Sequence, residues 1–449
     1  MSADWSLPAA LDAVTDAVPD REMLVWTSVR RTYADVQART KRLAAFFVAR
    51  GLGVRHERAE LQRWECGQDR VAVVLSNCPE YVETMIGAYR ARIVPYNVNH
   101  HYLPAEVAAL LDQIGTQAIV YHLRLGPLLA DVGLEGRVLV HVDDGSGVAP
   151  LPGSVAYEDA IANARAVDAL PEPSADDLYL LCTGGTTGRP KGVVWRQGDA
   201  YVAAMGGAEG ATAASIAACA DRPVPVWFAA PPLMHGAAQW TVFACLHNGG
   251  TVVLHDDAGP FSPSTILETA ARERATMLTI VGDAYARPII DELKAGTYDL
   301  SGLAQLSTGG AMTSPVLKAA FLDLLPHLTI VDGYGASETG GMAFGASRKN
   351  AQTQQFSGSS GAAVLSEDRT RFLEAGDDEM GWTARIGRVP LGYLDDREAT
   401  ERTFPIVDGR RLAVPGDRAK VDADGTIILF GRDSMVVNSG GEKIFVEEV

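Results

Sequence analysis

LYLLCTGGTTGRPKGVVW, residues 178–195, sets a loop of glycines, threonines and one lysine between two apolar runs. Glycines let backbone N–H groups approach a ligand closely, the hydroxyls of Thr183, Thr186 and Thr187 donate hydrogen bonds, and the Lys191 ammonium neutralises charge. That is the chemistry a polyphosphate requires. A Walker A loop needs Gly-Lys-Ser/Thr, whereas here Pro190 precedes Lys191 and Gly192 follows it. The alternative is a Gly/Thr-rich surface loop with no ligand, which one loop alone leaves open.

Around this loop lie 449 residues, 47% of them apolar, enough for a large core and more than one domain or subdomain. The net charge of −17 argues against nucleic acid as a partner, because phosphate backbones bind basic surfaces. Five cysteines, without CxxC pairs, suit a reducing compartment and give neither a disulfide framework nor a zinc site. The first residues show no basic-then-apolar signal sequence, and no run of about 20 apolar residues suggests a membrane span. The expectation is a cytoplasmic protein without a transmembrane segment.

Helical spacing over 33–50 closes at Gly51, and 70–75 reads as a buried strand. Helix 80–89 and extended pieces at 93–95, 117–122 and 138–142 continue the alternation, while 55–68 reads as a polar surface excursion. Residues 144–177 read as a connector. A second α/β run has strands at 223–229, 250–254, 277–281 and 328–332, with helices at 263–274 and 315–324. From Ile386 onward, short strands with turn signals suggest a small β-rich subdomain. The expected fold class is α/β, with two sheet-containing subdomains and this β-rich one.

Five further segments carry chemistry. Pro231-Pro232-Leu233-Met234-His235-Gly236 follows a strand. Ser307-Thr308-Gly309-Gly310-Ala311 and Asp332-Gly333-Tyr334-Gly335-Ala336-Ser337-Glu338 read as strand-end loops that would face one crevice. For the second, a turn followed by a helix N-cap with a first-turn acid is the plainer reading. Val414-Pro415-Gly416-Asp417 otherwise reads as a hairpin turn. The last segment runs from Gly431-Arg432-Asp433 to Asn438-Ser439-Gly440-Gly441-Glu442-Lys443.

In this order, the phosphate loop and these segments resemble the adenylate-forming superfamily, which includes acyl-CoA synthetases, luciferases and peptide-synthetase adenylation domains. The resemblance implies that a carboxylate is activated with ATP to an acyl-adenylate and then passed to a thiol. The cofactors implied are ATP, Mg²⁺ and coenzyme A, with the carboxylic acid as small-molecule partner; a homodimer is the quaternary state it leaves open. Thr183, Gly184, Gly185, Thr186, Thr187, Gly188 and Lys191 would bind the β- and γ-phosphates. Gly309, Gly310, Ala311, Asp332, Gly333, Tyr334, Gly335 and Ser337 would border the nucleotide, with Tyr334 stacking on adenine. Glu338 would hold the metal, Asp417 and Arg432 the ribose, and Gly440 and Gly441 would lie along pantetheine. Lys191, Glu338 and His235 are the candidate catalytic residues. Pro415 stands where relatives carry a threonine, and Ser337 where they usually carry another.

The wording of the motifs is similar to actinobacterial fatty-acid and steroid side-chain CoA ligases. Candidate pocket walls are Met234, His235, Gly236, Trp240, Gly282, Met312 and Met342, with Gly236 and Gly282 expected to leave room for a bulky body. None of these is the Asp that an amino-acid pocket needs, although Asp283 is adjacent. A steroid side-chain or other bulky apolar acid is the first expectation and a medium- or long-chain fatty acid the second. A fatty acyl-AMP ligase loading a carrier protein and a non-catalytic nucleotide-binding protein are the other readings. Residues 1–431 are expected to form the adenylation domain, and 432–449 the hinge and stub of a mobile C-terminal domain cut short. Impaired adenylation is the corresponding expectation.

Overall fold

The computed structural model describes residues 4–164, 170–183, 191–349, 351–352, 357–358, 361–432, 436–439 and 442–445. The candidate residues Gly184, Gly185, Thr186, Thr187, Gly188, Gly440 and Gly441, and the side chain of Arg432, lie outside what is described.

Local signals account for the first helices. Tyr33–Ala49 starts at a capping box in which Thr32 Oγ1 accepts from the Asp35 amide and the Asp35 carboxylate accepts from the Thr32 amide. It stops before Gly51, whose φ of +78° suits a residue without a Cβ. Pro79–Arg90 opens with proline in its first turn, where the missing N–H costs nothing. Between these helices Arg70–Val74 lies in an all-parallel sheet between the edge strand Val94–Asn97 and the central Ala118–His122, which Val138–Val142 and Val155–Ala156 continue. Its strands are nearly continuous apolar runs because both faces are covered.

The second sheet has a parallel centre, in spatial order Thr329–Ala336, Gln305–Gly309, Met277–Ile280, Val226–Ala229, Thr251–Leu254 and Glu22–Trp26. Antiparallel strands flank it, Gly340–Arg348 on one side and Val29–Thr32 on the other. A single buried cluster joins the two sheets. It runs from Val71 and Val73 through Phe47, Tyr81, Tyr89 and Phe243 on intervening helices to Ala229, Val252 and Leu254.

Three expectations change, and one strand was not anticipated. The second sheet recruits Glu22–Trp26 from the start of the chain, a pairing that no local pattern announces. The supposed connector 144–177 supplies an edge strand, Val155–Ala156, and a helix, Tyr157–Ala162, whose Tyr157, Ala160 and Ile161 are buried. The β-rich unit begins at Ala362–Leu365, paired with Gly381–Ile386, ahead of Ile386. Pro415-Gly416 makes no hairpin: Arg410–Ala413 and Asp417–Val421 pair in succession with the same strand, Ala413 opposite Arg385 and Arg418 opposite Trp382. The chain uses more residues than its partner over this stretch, so Pro415-Gly416, with Gly416 at φ +101°, is a bulge.

Candidate active site

The phosphate loop connects the two strands of an antiparallel hairpin, Leu178–Thr183 and Lys191–Arg196. Within these strands Tyr179, Leu181, Val193 and Trp195 are buried, and Thr183 and Lys191 stand opposite each other at the end where the loop begins and returns. A short third strand, Gly392–Tyr393, pairs with Val193 and Val194. It brings the Tyr393 ring under Lys191, with Nζ 4.9 Å from the ring centroid, within cation–π range. The Tyr393 hydroxyl donates a 2.7 Å hydrogen bond to Glu338 Oε1. Candidate phosphate lysine and candidate metal carboxylate, far apart in sequence, thus share one aromatic side chain.

Asp332–Glu338 is not a loop followed by a helix. The strand Thr329–Ala336 runs through the motif and reverses over residues 337–339 into Gly340–Arg348. Gly335 is needed there: a Cβ would stand 2.1 Å from the Gly340 carbonyl oxygen. Thr339, fully buried, fastens the turn by accepting from the Ala336 amide at 2.9 Å. Trp195 Nε1 donates to the Ser337 carbonyl at 3.0 Å, tying the turn to the phosphate hairpin. Glu338 is half-buried at its tip.

Tyr334 and Asp417 also converge. The tyrosine hydroxyl donates to Asp417 Oδ2 at 2.5 Å, and Asp417, which follows the bulge, is buried. Asp332, by contrast, is paired with Lys318 Nζ at 2.9 Å. Gly309 lies opposite Gly333 in the parallel pair, and Gly310, at φ +76°, turns the chain into exposed Ala311 and Met312.

The turn 231–236 leads into helix Gly236–His247, with His235 as its N-cap residue. Two buried asparagines hold it. Asn77 Nδ2 donates to the Pro231 carbonyl at 3.2 Å, its Oδ1 accepts from the Leu233 amide at 2.7 Å, and its own amide donates to Asp257 Oδ1 at 2.7 Å. Asn97 Nδ2 donates to the Met234 carbonyl at 2.6 Å. The His235 imidazole reaches solvent, and partial burial together with His101 lowers its pKa below the ordinary histidine value.

The pocket candidates separate. Met234 and Met342 are buried and Trp240 is half-buried, but Met312 is 60% exposed. At Gly236 and Gly282 the position a Cβ would take is occupied. A Cβ on Gly236 would lie 2.4 Å from Leu181 Cδ2; one on Gly282 would lie 2.8 Å from Ala311 Cβ and from the Met312 carbonyl oxygen. Both are close-approach glycines, required where Leu181 and the Ala311-Met312 segment pack against them. Asp283 is committed to the fold, accepting from the Ser314 amide at 2.7 Å ahead of helix Pro315–Leu324.

Sequence reasoning missed Tyr393, Trp195, Asn77 and Asn97. The asparagines did leave a signal, Asn97 as the polar last residue of an otherwise apolar strand and Asn77 as a polar residue shortly beyond another; Tyr393 and Trp195 left none beyond their size.

The AMP-binding enzyme family profile matches residues 11–378. The chain is 42% identical to the medium-chain acyl-CoA ligase Mig of Mycobacterium avium, over 99% of this chain and 83% of that protein. It is 35% identical to the 3-oxocholest-4-en-26-oate–CoA ligase of Rhodococcus rhodochrous, over 97% of this chain and 79% of that one. The fold superposes on the anthranilate CoA ligase AuaEII, crystallised with anthranoyl-AMP, with a TM-score of 0.81 at 18% identity, covering 100% of this chain and 82% of that one. The chain belongs to the AMP-binding enzyme family and is of the adenylate-forming acyl-CoA ligase type.

Proposed function

We propose that residues 1–431 form one adenylation unit that activates an apolar carboxylic acid with ATP and passes the acyl group to coenzyme A. The observation that carries this reading is the meeting of Lys191 and Glu338 across Tyr393. One cation for the outer phosphates and one carboxylate for their counter-ion then stand at a single cleft. In the first step a carboxylate oxygen attacks the α-phosphorus and the bond to pyrophosphate breaks. In the second, the thiolate of coenzyme A attacks the acyl carbon and AMP leaves.

Thr183 and Lys191 hold the β- and γ-phosphates, with Thr186 and Thr187 as further donors. Lys191 supplies fixed positive charge where negative charge moves on to pyrophosphate. Asp417 accepts from the ribose hydroxyls, and Tyr334, whose hydroxyl it already holds, lies against the adenine. Among the described residues no three acidic, histidine or cysteine side chains gather into a metal cage. The single carboxylate of Glu338 beside a polyphosphate is the donor set Mg²⁺ uses, since that ion keeps most of its ligands as water and phosphate oxygen. Bound there, Mg²⁺ neutralises the phosphate oxygens.

The acid enters beside Met234, His235 and Trp240. Medium-chain acids fit this reading as readily as steroid side-chain acids, and both classes occur among the relatives' names. Among the described residues no helix is long and apolar enough to cross a membrane.

Acid-dependent exchange of labelled pyrophosphate into ATP tests the reading, with octanoate and a 3-oxo-steroid side-chain acid compared directly. Exchange that needs an apolar acid and Mg²⁺, followed by thioester formation on adding coenzyme A, is expected. Retained adenylate indifferent to coenzyme A would instead indicate carrier-protein loading. ATP binding with no exchange for any acid would overturn catalysis altogether.

A further inference from the structure

The strand Leu178–Thr183 is the edge of its three-stranded sheet and has no backbone partner on its outer side among the described strands. At Cys182 that place is taken by a side chain. Asn97, at the end of Val94–Asn97 in the other sheet, accepts from the Cys182 amide through Oδ1 at 2.9 Å and donates from Nδ2 to the Cys182 carbonyl at 2.7 Å. The side-chain amide imitates one residue of a paired strand. Its second Nδ2 hydrogen goes to the Met234 carbonyl at 2.6 Å. Both donors of the amide are thus spent on two carbonyls from distant segments, in a site where Asn97 is 5% exposed.

The two anchored residues are the immediate neighbours of functional candidates. Cys182 precedes Thr183, the root of the phosphate loop, and Met234 precedes His235, at the acid turn. Asn77 also holds that turn, through Pro231 and Leu233, but no bond from it to the phosphate hairpin is among those described.

We propose that Asn97 is a positioning residue that fixes the distance between the acid and the nucleotide by clamping the phosphate-loop root to the acid turn. This rests on the adenylation reading above. A carboxylate must approach the α-phosphorus in line, and misplacement of about 1 Å costs on the order of 100-fold in rate. A rigid short side chain sharing one amide between both segments sets that approach more tightly than packing alone.

A ligand that spans both half-sites feels their separation; ligands that fill one half-site do not. The test measures the affinity of octanoyl-sulfamoyladenosine, of Mg·ATP and of octanoate for the wild-type chain and for Asn97→Ala and Asn97→Ser. The expected result is a loss of about 30-fold or more for the bisubstrate, while ATP and octanoate each change by less than about threefold, as fits a bond that touches neither ligand. Losses that run in parallel for all three ligands, or no loss for the bisubstrate, overturn the clamp. Should both variants fail to fold, amide exchange in the wild-type chain gives the answer. Octanoate alone must slow exchange at Cys182 as well as at Leu233, and protection confined to residues 231–236 refutes the coupling. A wild-type chain that does not bind the bisubstrate at all contradicts the adenylation reading instead.

Discussion

The Tyr393 hydroxyl lies 2.7 Å from Glu338 Oε1, with its ring under the Lys191 ammonium. Tyr393 itself is fixed from behind: its amide donates to Thr400 Oγ1 at 2.9 Å, and its ring packs edge-on against Phe404. Glu338 therefore has a defined orientation before any ligand arrives. Tyr393→Phe keeps the ring under Lys191 and against Phe404 but removes the bond to the carboxylate. A hydrogen bond to a charged group contributes about 1.5–3 kcal/mol, so affinity for Mg·ATP should fall on the order of 10- to 100-fold. Calorimetric titration of the variant with Mg·ATP measures this; unchanged affinity would show that Tyr393 does not orient Glu338.

Asp417 and Tyr334 are read as a unit, because the tyrosine hydroxyl donates to the carboxylate at 2.5 Å. Asp417→Asn should weaken nucleotide binding by roughly tenfold or more, whereas Tyr334→Phe, which keeps the ring, should cost about threefold. Comparison with a 2′,3′-dideoxy nucleotide separates the roles: it should bind the wild type and Asp417→Asn about equally. A large difference there would remove Asp417 from the ribose.

Burial pushes the Asp257 carboxyl up to about 6 from an ordinary 3.8. Its Oδ1 accepts from the Asn77 amide, so it sits at the base of the acid turn. An acid with a raised folded pKa binds more protons folded than unfolded between the two values. Its favourable contribution is complete below about pH 4 and is lost as pH rises through about 6. The shift amounts to roughly 3 kcal/mol. Asp257→Asn, a neutral isostere that still accepts from Asn77, should thus be more stable than wild type above pH 6 and no more stable near pH 4. Denaturant unfolding of both proteins across that range decides it; a difference independent of pH would contradict the raised pKa.

Gly282 combines φ +53° with a virtual Cβ 2.8 Å from Ala311 Cβ. Gly282→Ala should therefore destabilise by roughly 1–3 kcal/mol, as overpacked sites do. Beside an open pocket the same change would carry only the backbone strain of its positive φ, about 1–2 kcal/mol, and would shift preference toward shorter acids. Unfolding midpoints together with a chain-length series distinguish these outcomes.

The elements most legible in the sequence were those specified by their own neighbours. Tyr33–Ala49 carries its caps in sequence, and the end of Pro315–Leu324 was matched to the residue. Glu22–Trp26 was not legible, because its place is set by Thr251–Leu254, more than two hundred residues away. The strand through Asp332–Ala336 was misread as a loop since glycine-rich sequence is a poor strand former on its own; here pairing with Gly340–Arg348 overrides that preference. The site followed the same division. Thr183, Lys191, Glu338 and Asp417 were visible in motifs, while Tyr393, Trp195, Asn77 and Asn97 act through tertiary contacts that no spacing encodes.

The most direct test of acid activation at this cleft is the thermal stability of the chain with octanoyl-sulfamoyladenosine, in wild type and in Lys191→Ala. At 100 times its dissociation constant a ligand stabilises by roughly 2.7 kcal/mol. The expected result is a clear rise in the wild-type midpoint, exceeding that from Mg·ATP or octanoate alone, and a much smaller rise for Lys191→Ala with Mg·ATP. No rise with the adenylate analogue, or equal rises in both proteins with Mg·ATP, would contradict the assignment of this cleft to acyl-adenylate formation.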